Sequence, residues 1–171
     1  MSFGSTTVLV LTGAWVDAIL FLDDARRVHV AAQAARHLRA LDLTRAAERL
    51  YGGDFHAHND ESPWARAERE HLAQCRRGML YDAAEAAIAL GRYHDAVDLA
   101  SKAVEIDRSS EGAHRALMRA HAGLGEIGSA LLAFEDCRSH LAEELGVDPS
   151  SQTQALHLRL LRGESLGVAT R

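Results

Sequence analysis

One pattern recurs in this chain and limits what it can fold into. Leu90-Gly91-Arg92-Tyr93-His94-Asp95-Ala96 returns downstream as Leu124-Gly125-Glu126-Ile127-Gly128-Ser129-Ala130. Both keep Gly-x-(apolar)-x-x-Ala, and both run on into an amphipathic stretch: Val97, Ala100, Ala103 and Val104 in the first, Leu131, Phe134 and Cys137 in the second. A glycine followed by apolar residues at helical spacing reads as a tight turn into a helix. Small residues along one stripe of that helix let a neighbouring helix approach closely. Each copy is therefore one corner of a helical hairpin.

The offset between the copies is the roughly 34-residue period of tetratricopeptide repeats. A third, diverged copy is read in Leu41-Asp42-Leu43-Thr44-Arg45-Ala46-Ala47, where Leu43 and Ala46 keep the apolar-x-x-Ala spacing, and Arg108 stands where a repeat usually ends in proline. The expected fold class is all-α. It is a tetratricopeptide-like, right-handed array of antiparallel helical hairpins with about seven helices.

Composition agrees. Hydrophobic residues reach 47% while aromatics are only 5% and prolines number two, which favours closely packed helices over a sandwich or barrel. A net charge of −5 argues against a nucleic-acid-binding surface covering the whole domain. Cys75 and Cys137 sit in helical patterns and read as small buried hydrophobes in a reducing compartment. The most apolar stretch, Val8 to Leu22, is interrupted by Gly13 and Asp17 and has no basic region before it, so neither a membrane span nor a signal peptide is expected. The expected location is the cytoplasm.

Taken in order, residues 1–17 form a first unit. Val8 to Leu11 favours a strand, Thr12-Gly13 a turn, and Ala14 to Asp17 a second extended piece, giving a short β-hairpin; the rival reading is a helix from Val16 through Leu22. Asp23-Asp24 ahead of Ala25 to Leu38 suits the N-terminus of a helix, and Leu43 to Leu50 a second helix. Tyr51 to Ser62, with Gly52-Gly53, is a polar loop; Ser62-Pro63-Trp64 then reads as cap, first-turn proline and onset of one long helix near 63–90. Further helices are expected at about Tyr93 to Asp107, Ser110 to Leu124 and Ile127 to Leu145. Gly146 and Pro149 stop the last of these, a short helix follows from Gln152 to Arg162, and 163–171 is a tail.

Nothing in this order looks catalytic. Asp54, His56 and His58 crowd one loop but lack metal-ligand spacing, so no metal or cofactor is expected. His114 and His121 share a helix stripe with Leu117 and Leu124 and read as packing residues. Adjacent carboxylates such as Glu143-Glu144 point about 100° apart on a helix and do not converge for acid/base work. Arg66, Arg69, Arg76 and Arg77 alternate with Glu68 and Glu70, a salt-bridge-laced face. In repeat arrays the first helices line the concave side, which places Tyr81, Glu85, Ile88, Arg115, Arg119 and Ala122 on a shared groove suited to a peptide or a partner's helix.

Four segments together resemble the bacterial transcriptional activator domain of SARP-type regulators: Leu50 to Phe55 (Leu-Tyr-Gly-Gly-Asp-Phe), Pro63 to Glu70 (Pro-Trp-Ala-Arg-Ala-Glu-Arg-Glu), Leu90 to Tyr93, and Leu141 to Ser150 (Leu-Ala-Glu-Glu-Leu-Gly-Val-Asp-Pro-Ser). The resemblance covers about Asp17 to Leu161. It implies a repeat-like helical bundle over 18–162 that follows a winged-helix DNA-binding domain, with 1–17 resembling the end of that domain. It also implies a non-catalytic module serving dimerisation or protein contacts: another copy of itself, RNA polymerase or another regulator. The segment before the bundle is too short for a recognition helix, which argues against sequence-specific DNA binding by this chain alone. Two other readings stand beside it: an activator contacting DNA through a residual wing and Arg-bearing helices, and a generic repeat scaffold.

Overall fold

A computed structural model describes residues 13–51 and 62–164, with side chains described from 17 onward. Among these, seven helices follow one another: α1 Gly13–Gln33, α2 His37–Leu50, α3 Pro63–Ala89, α4 Tyr93–Ile106, α5 Glu111–Gly123, α6 Ile127–Leu145 and α7 Ser151–Leu161. Consecutive helices pair as hairpins, α1 with α2, α3 with α4 and α5 with α6. The first helices α1, α3, α5 and α7 also pack side by side. The array is tetratricopeptide-like, as expected. So is the long third helix, which spans 27 residues and is capped by Ser62, whose hydroxyl accepts the Ala65 N–H at 3.4 Å, with Pro63 in the first turn.

The three hairpin turns share one geometry. Ala35, Gly91 and Gly125 take φ of 54°, 69° and 79°. The next residues, Arg36, Arg92 and Glu126, sit at nearly identical backbone angles (φ −85°, −86° and −87°) before the following helix. The hydrogen bonds repeat as well. Arg36 N–H donates to Ala31 O at 2.8 Å, Arg92 to Ala87 O at 2.8 Å and Glu126 to His121 O at 2.9 Å, each closing a left-handed C-terminal cap. Five residues after the left-handed position comes a wholly buried alanine: Ala40, Ala96 and Ala130.

This corrects the register of the third copy. It is Ala34 to Ala40, not Leu41 to Ala47, and the signal was hidden because alanine occupies the position where the other two copies have glycine. Two further corrections share a cause. The helix placed from Ala25 to Leu38 is divided at Ala34 and Ala35, and α2 begins at His37 rather than Leu43. Asp23-Asp24, read as a helix start, lies in the middle of α1, where Asp24 pairs with Arg27 at 2.7 Å and Asp23 with Arg26 at 3.7 Å one turn on. The acidic pair serves neighbouring arginines instead of a helix dipole. The expected β-hairpin is likewise overturned at its second half, since 14–17 belong to α1, which runs through the expected boundary after residue 17; Val8 to Leu11 lies outside the described residues. The loop carrying Asp54, His56 and His58 and the tail from 165 lie outside them too.

Small side chains set the helix spacing. Ala84, Ala100 and Ala116, one each from α3, α4 and α5, form a buried cluster, and Ala83, Ala87, Ala96 and Ala120 pack with Leu41 in another. Bulk is concentrated at the two ends: Phe21, Val28, Leu43, Leu72, Met79 and Leu80 toward α1, and Met118, Phe134, Leu156 and Leu160 toward α7. Close approach also occurs at Gly123, where a Cβ would come within 2.4 Å of the Tyr93 ring.

The left-handed turns give a direct test. Ala35→Gly removes the cost of a Cβ at positive φ and should raise unfolding free energy by about 1 kcal/mol, whereas Gly91→Ala should lower it by about as much. Urea titration of the two variants against the native chain measures both, with opposite signs expected.

Candidate interaction surface

Each junction between successive first helices is bridged by a polar pair. His29 Nδ1 on α1 meets Asp82 Oδ2 on α3 at 2.8 Å. Glu85, one turn further along α3, is ion-paired to Arg119 on α5. Arg115 on α5 donates to Thr153 Oγ1 on α7 at 2.9 Å. The residues sit on these faces because α3 presents His71, Cys75, Gly78, Asp82 and Glu85 at spacings of three and four, one stripe of a helix. A shallow groove of about 370 Å³ opens along that stripe between α1 and α3, lined among others by Leu22, Ala25, Arg26, His71, Cys75 and Gly78.

Four of the six residues placed on a shared groove come together. Tyr81, Glu85, Arg115 and Arg119 lie within electrostatic reach of one another: burial first, then the nearby Glu85 carboxylate, pushes the Tyr81 phenol above its ordinary value, while Arg119 and Arg115 oppose this. The Tyr81 ring itself lies against Gly112. Ile88 and Ala122 turn elsewhere, Ile88 into the alanine clusters between α3, α4 and α5 and Ala122 against the core around Met118 and Phe134. The two arginines are held by the fold: Arg119 by Glu85 and by the Arg115 carbonyl, Arg115 by Thr153 and Glu111.

A polar clasp that sequence reasoning missed closes the far end. The Glu111 carboxylate, at the first turn of α5, accepts the Ser150 N–H at 2.9 Å, the Ser150 hydroxyl at 2.6 Å and the hydroxyl of fully buried Thr153. Burial works against the ionised form of Glu111. The hydrogen bonds from Ser150 and Thr153, the Ser150 N–H and the Arg115 charge outweigh it and hold the pKa below 4.5. The preceding turn is shaped for this contact, with Gly146 left-handed at φ 67°, Val147 N–H donating to Leu141 O, and Pro149 buried. Ser150 stands at the N-cap of α7, but its hydroxyl caps no backbone N–H of that helix and reaches Glu111 instead.

On the outer side Glu48 of α2 accepts both Nε and an Nη of Arg76 on α3 at 2.8 and 2.9 Å, with Lys102 of α4 3.8 Å away and the Arg76 guanidinium over the Tyr51 ring. His114 is buried and donates Nε2–H to the Arg108 carbonyl, a packing residue as expected. Cys137 is buried as expected, its thiol pushed up to about 11 by burial and Glu111 against Arg115. Cys75 is only half-buried at the groove rim, and burial together with Glu68 raises its thiol as well. Both thiols thus stay protonated at neutral pH. Among the described residues no three His, Cys, Asp or Glu side chains converge for a metal, and no helix is long and apolar enough to cross a membrane.

The molecule is thus an all-helical repeat array whose first-helix face is cross-braced by polar pairs. Residues 16–161 match the bacterial transcriptional activator domain, and the chain belongs to that family. It is 29% identical over 161 residues to the regulatory protein AfsR of Streptomyces coelicolor, covering 94% of this chain and 16% of that protein. Mycobacterium tuberculosis EmbR, solved in complex with a low-affinity phosphopeptide, superposes with a TM-score of 0.78 at 24% identity over 89% of this chain and 40% of that one. The C-terminal tetratricopeptide domain of a putative FK506-binding protein of Plasmodium falciparum superposes at 0.68 with 13% identity, over 90% and 93%. The chain thus spans well under half the length of the two regulators.

The Glu111 clasp predicts an acid-sensitive end to the array. A carboxylate whose folded pKa lies below its unfolded value adds stability that is fully present above about 4.5 and is lost as pH falls through the lower, folded value. Glu111→Gln should cost about 1–3 kcal/mol at neutral pH, as charged hydrogen bonds are lost. It should also flatten the stability profile below pH 4.5 relative to the native chain, read by thermal melts across pH.

Proposed function

We propose that this chain is a non-catalytic protein-contact module of a bacterial transcriptional regulator, working in the cytoplasm without cofactor or metal, and that its partners are proteins: another regulator, RNA polymerase or a second copy of itself. The observation that carries the reading is the match of 16–161 to a transcriptional activator domain, together with a first-helix face that mixes apolar and charged groups. The inner-face residues Tyr81, Glu85, Arg115 and Arg119 form the contact surface, with Ile88 and Ala122 shaping it from behind.

The alternative, direct DNA contact by Arg-bearing helices, is disfavoured by where the arginines point. Arg27, Arg45, Arg76, Arg77, Arg92, Arg115, Arg119 and Arg138 each face a carboxylate within 4.0 Å. A phosphate would have to compete for them, against a net charge of −5. The generic-scaffold reading is disfavoured by the family match.

Reversal of Arg115 or Arg119 alone is a poor probe, because each is tied to a neighbouring helix. Exchanging both ends of one pair, Glu85→Arg with Arg119→Glu, keeps the brace but inverts the charge pattern of the face. That variant should melt within a few degrees of the native chain and lose proteins that the immobilised native chain retains from a bacterial extract. In parallel, fluorescence anisotropy with a labelled promoter-length duplex should show no binding at physiological salt. Binding there, with the steep salt dependence of phosphate contacts, would favour the DNA reading instead.

A further inference from the structure

The first helices pack side by side, but the second helices do not. No Cα atom of α2 comes within 8 Å of one in α4, although their hairpin partners α1 and α3 pack directly. On the outer side the gap opens into a groove of about 390 Å³. Both of its helices run the same way. His29–Asp82 and Glu85–Arg119 join the C-terminal halves of α1, α3 and α5, so the first helices are parallel, and the hairpin turns make the second helices parallel in turn. The Lys102–Glu48 pair, 3.8 Å apart and toward the C-terminal end of each helix, bridges the two walls there. From that bridge the groove runs toward the N-termini over a floor of Leu41, Thr44 and Leu99. The Thr44 hydroxyl donates to the Ala40 carbonyl at 2.9 Å, so the floor offers apolar surface and no free hydroxyl proton.

The walls carry opposite charge. Arg45 and Arg49 rise from α2 at a spacing of four, and Asp95 and Asp98 from α4 at a spacing of three, each pair on one stripe of its helix. Among the described residues, Arg49 and Asp98 have no ion-pair partner. Arg45 and Asp95 are paired only to near neighbours in sequence, Asp42 at 2.9 Å and Arg92. Exposed pairs of that kind are weak and yield to a partner. Two charges of each sign thus stand on either side of an apolar floor without meeting.

That pattern selects its occupant. A nucleic acid carries one sign of charge and would meet like charge on the α4 wall. An amphipathic helix can carry both signs, basic on one flank and acidic on the other, beside an apolar stripe for the floor. We propose that the groove between α2 and α4 binds an amphipathic helix of a partner protein. Its apolar stripe rests on Leu41 and Leu99, its basic flank faces Asp95 and Asp98, and its acidic flank faces Arg45 and Arg49. The proposal rests on the protein-contact reading above but uses the outer side of the array, not the inner face. One helix in a groove of this size buries less than the roughly 1,200 Å² of a standard interface, so the contact is transient.

A displayed library of helical peptides tests it, with leucine fixed at heptad spacing and lysine, glutamate or alanine varied at the flanking positions. Selection on the native chain should enrich peptides that carry both charges. Asp98→Arg puts a base on the acidic wall, and Arg49→Glu puts an acid on the basic one. Each variant should bind a selected peptide about fivefold more weakly than the native chain does. Each should also switch preference: D98R toward the same peptide with its lysines changed to glutamate, R49E toward the one with its glutamates changed to lysine. Both side chains are exposed, so melting temperatures should stay within a few degrees of the native chain. No enrichment, enrichment of peptides with one sign of charge alone, or selected peptides that bind D98R and R49E as well as the native chain would each overturn the proposal. The inner-face exchange E85R/R119E should leave the peptides bound. If it releases them, they sit on the inner face and the α2–α4 proposal falls. If it leaves both the peptides and the extract proteins bound, the inner-face reading falls alone.

Discussion

Everything in this structure depends on how near α4 lies to α3 and α5. Where three helices meet through Ala84, Ala100 and Ala116, with Tyr81, Ile88, Leu99 and Leu117 packed around them, the small side chains let the helices approach closely. That closeness supplies packing along the whole length of each helix at little side-chain entropy cost, since alanine has no rotamers to freeze. It also makes the centre intolerant: one added methylene group there has nowhere to go without moving a helix. Large fully buried apolar side chains, Phe21 and Met79 on one side and Met118 on the other, belong to the clusters that flank this alanine contact.

Closeness at the centre has an electrostatic consequence at the rim. Helices held so near bring long side chains on neighbouring elements within reach of each other, and polar groups that would otherwise be solvated separately meet across each junction. His29–Asp82, Glu85–Arg119 and Arg115–Thr153 are one such series, and Arg76–Glu48 with Lys102 is its counterpart on the outer side. The solvent-exposed His29–Asp82 pair contributes only tenths of a kcal/mol, and the part-buried pairs somewhat more. Their larger effect is on register: a helix sliding one turn past its neighbour would break several at once. Small residues decide how near the helices come, and polar pairs decide how they are aligned.

The sequence disclosed the first of these far better than the second. Glycine at 91 and 125 made two turns readable, and Ser62-Pro63 and Gly146 with Pro149 marked the ends of α3 and α6 closely. The first hairpin was misread because Ala35 adopts a conformation that alanine seldom takes, so its turn had no glycine to announce it, and because Asp23-Asp24 resembled a helix start while serving as mid-helix partners for Arg26 and Arg27. Of the predicted groove, Tyr81, Glu85, Arg115 and Arg119 converge as helical spacing implied, but that two arginines would be tied to neighbouring helices was invisible, since spacing says which face a residue occupies and not what stands opposite. Glu111 was missed altogether. Its partners lie on a turn and a helix nearly forty residues further on, and no local pattern connects them.

The same distinction separates what the family resemblance conveys from what it leaves open. The segments that carry it hold structural positions. Tyr51 lies against Phe21 with Arg76 over its ring, Pro63 starts α3, Gly91 turns the central hairpin, and Gly146 to Ser150 deliver a hydroxyl to Glu111. A chain keeping these residues keeps the array whatever it binds. Specificity must then come from exposed side chains that these structural positions do not fix, such as Ile19 and Val30 on α1, each about half open to solvent. Two chains with the same array and different residues at such exposed positions would share a fold and present different surfaces.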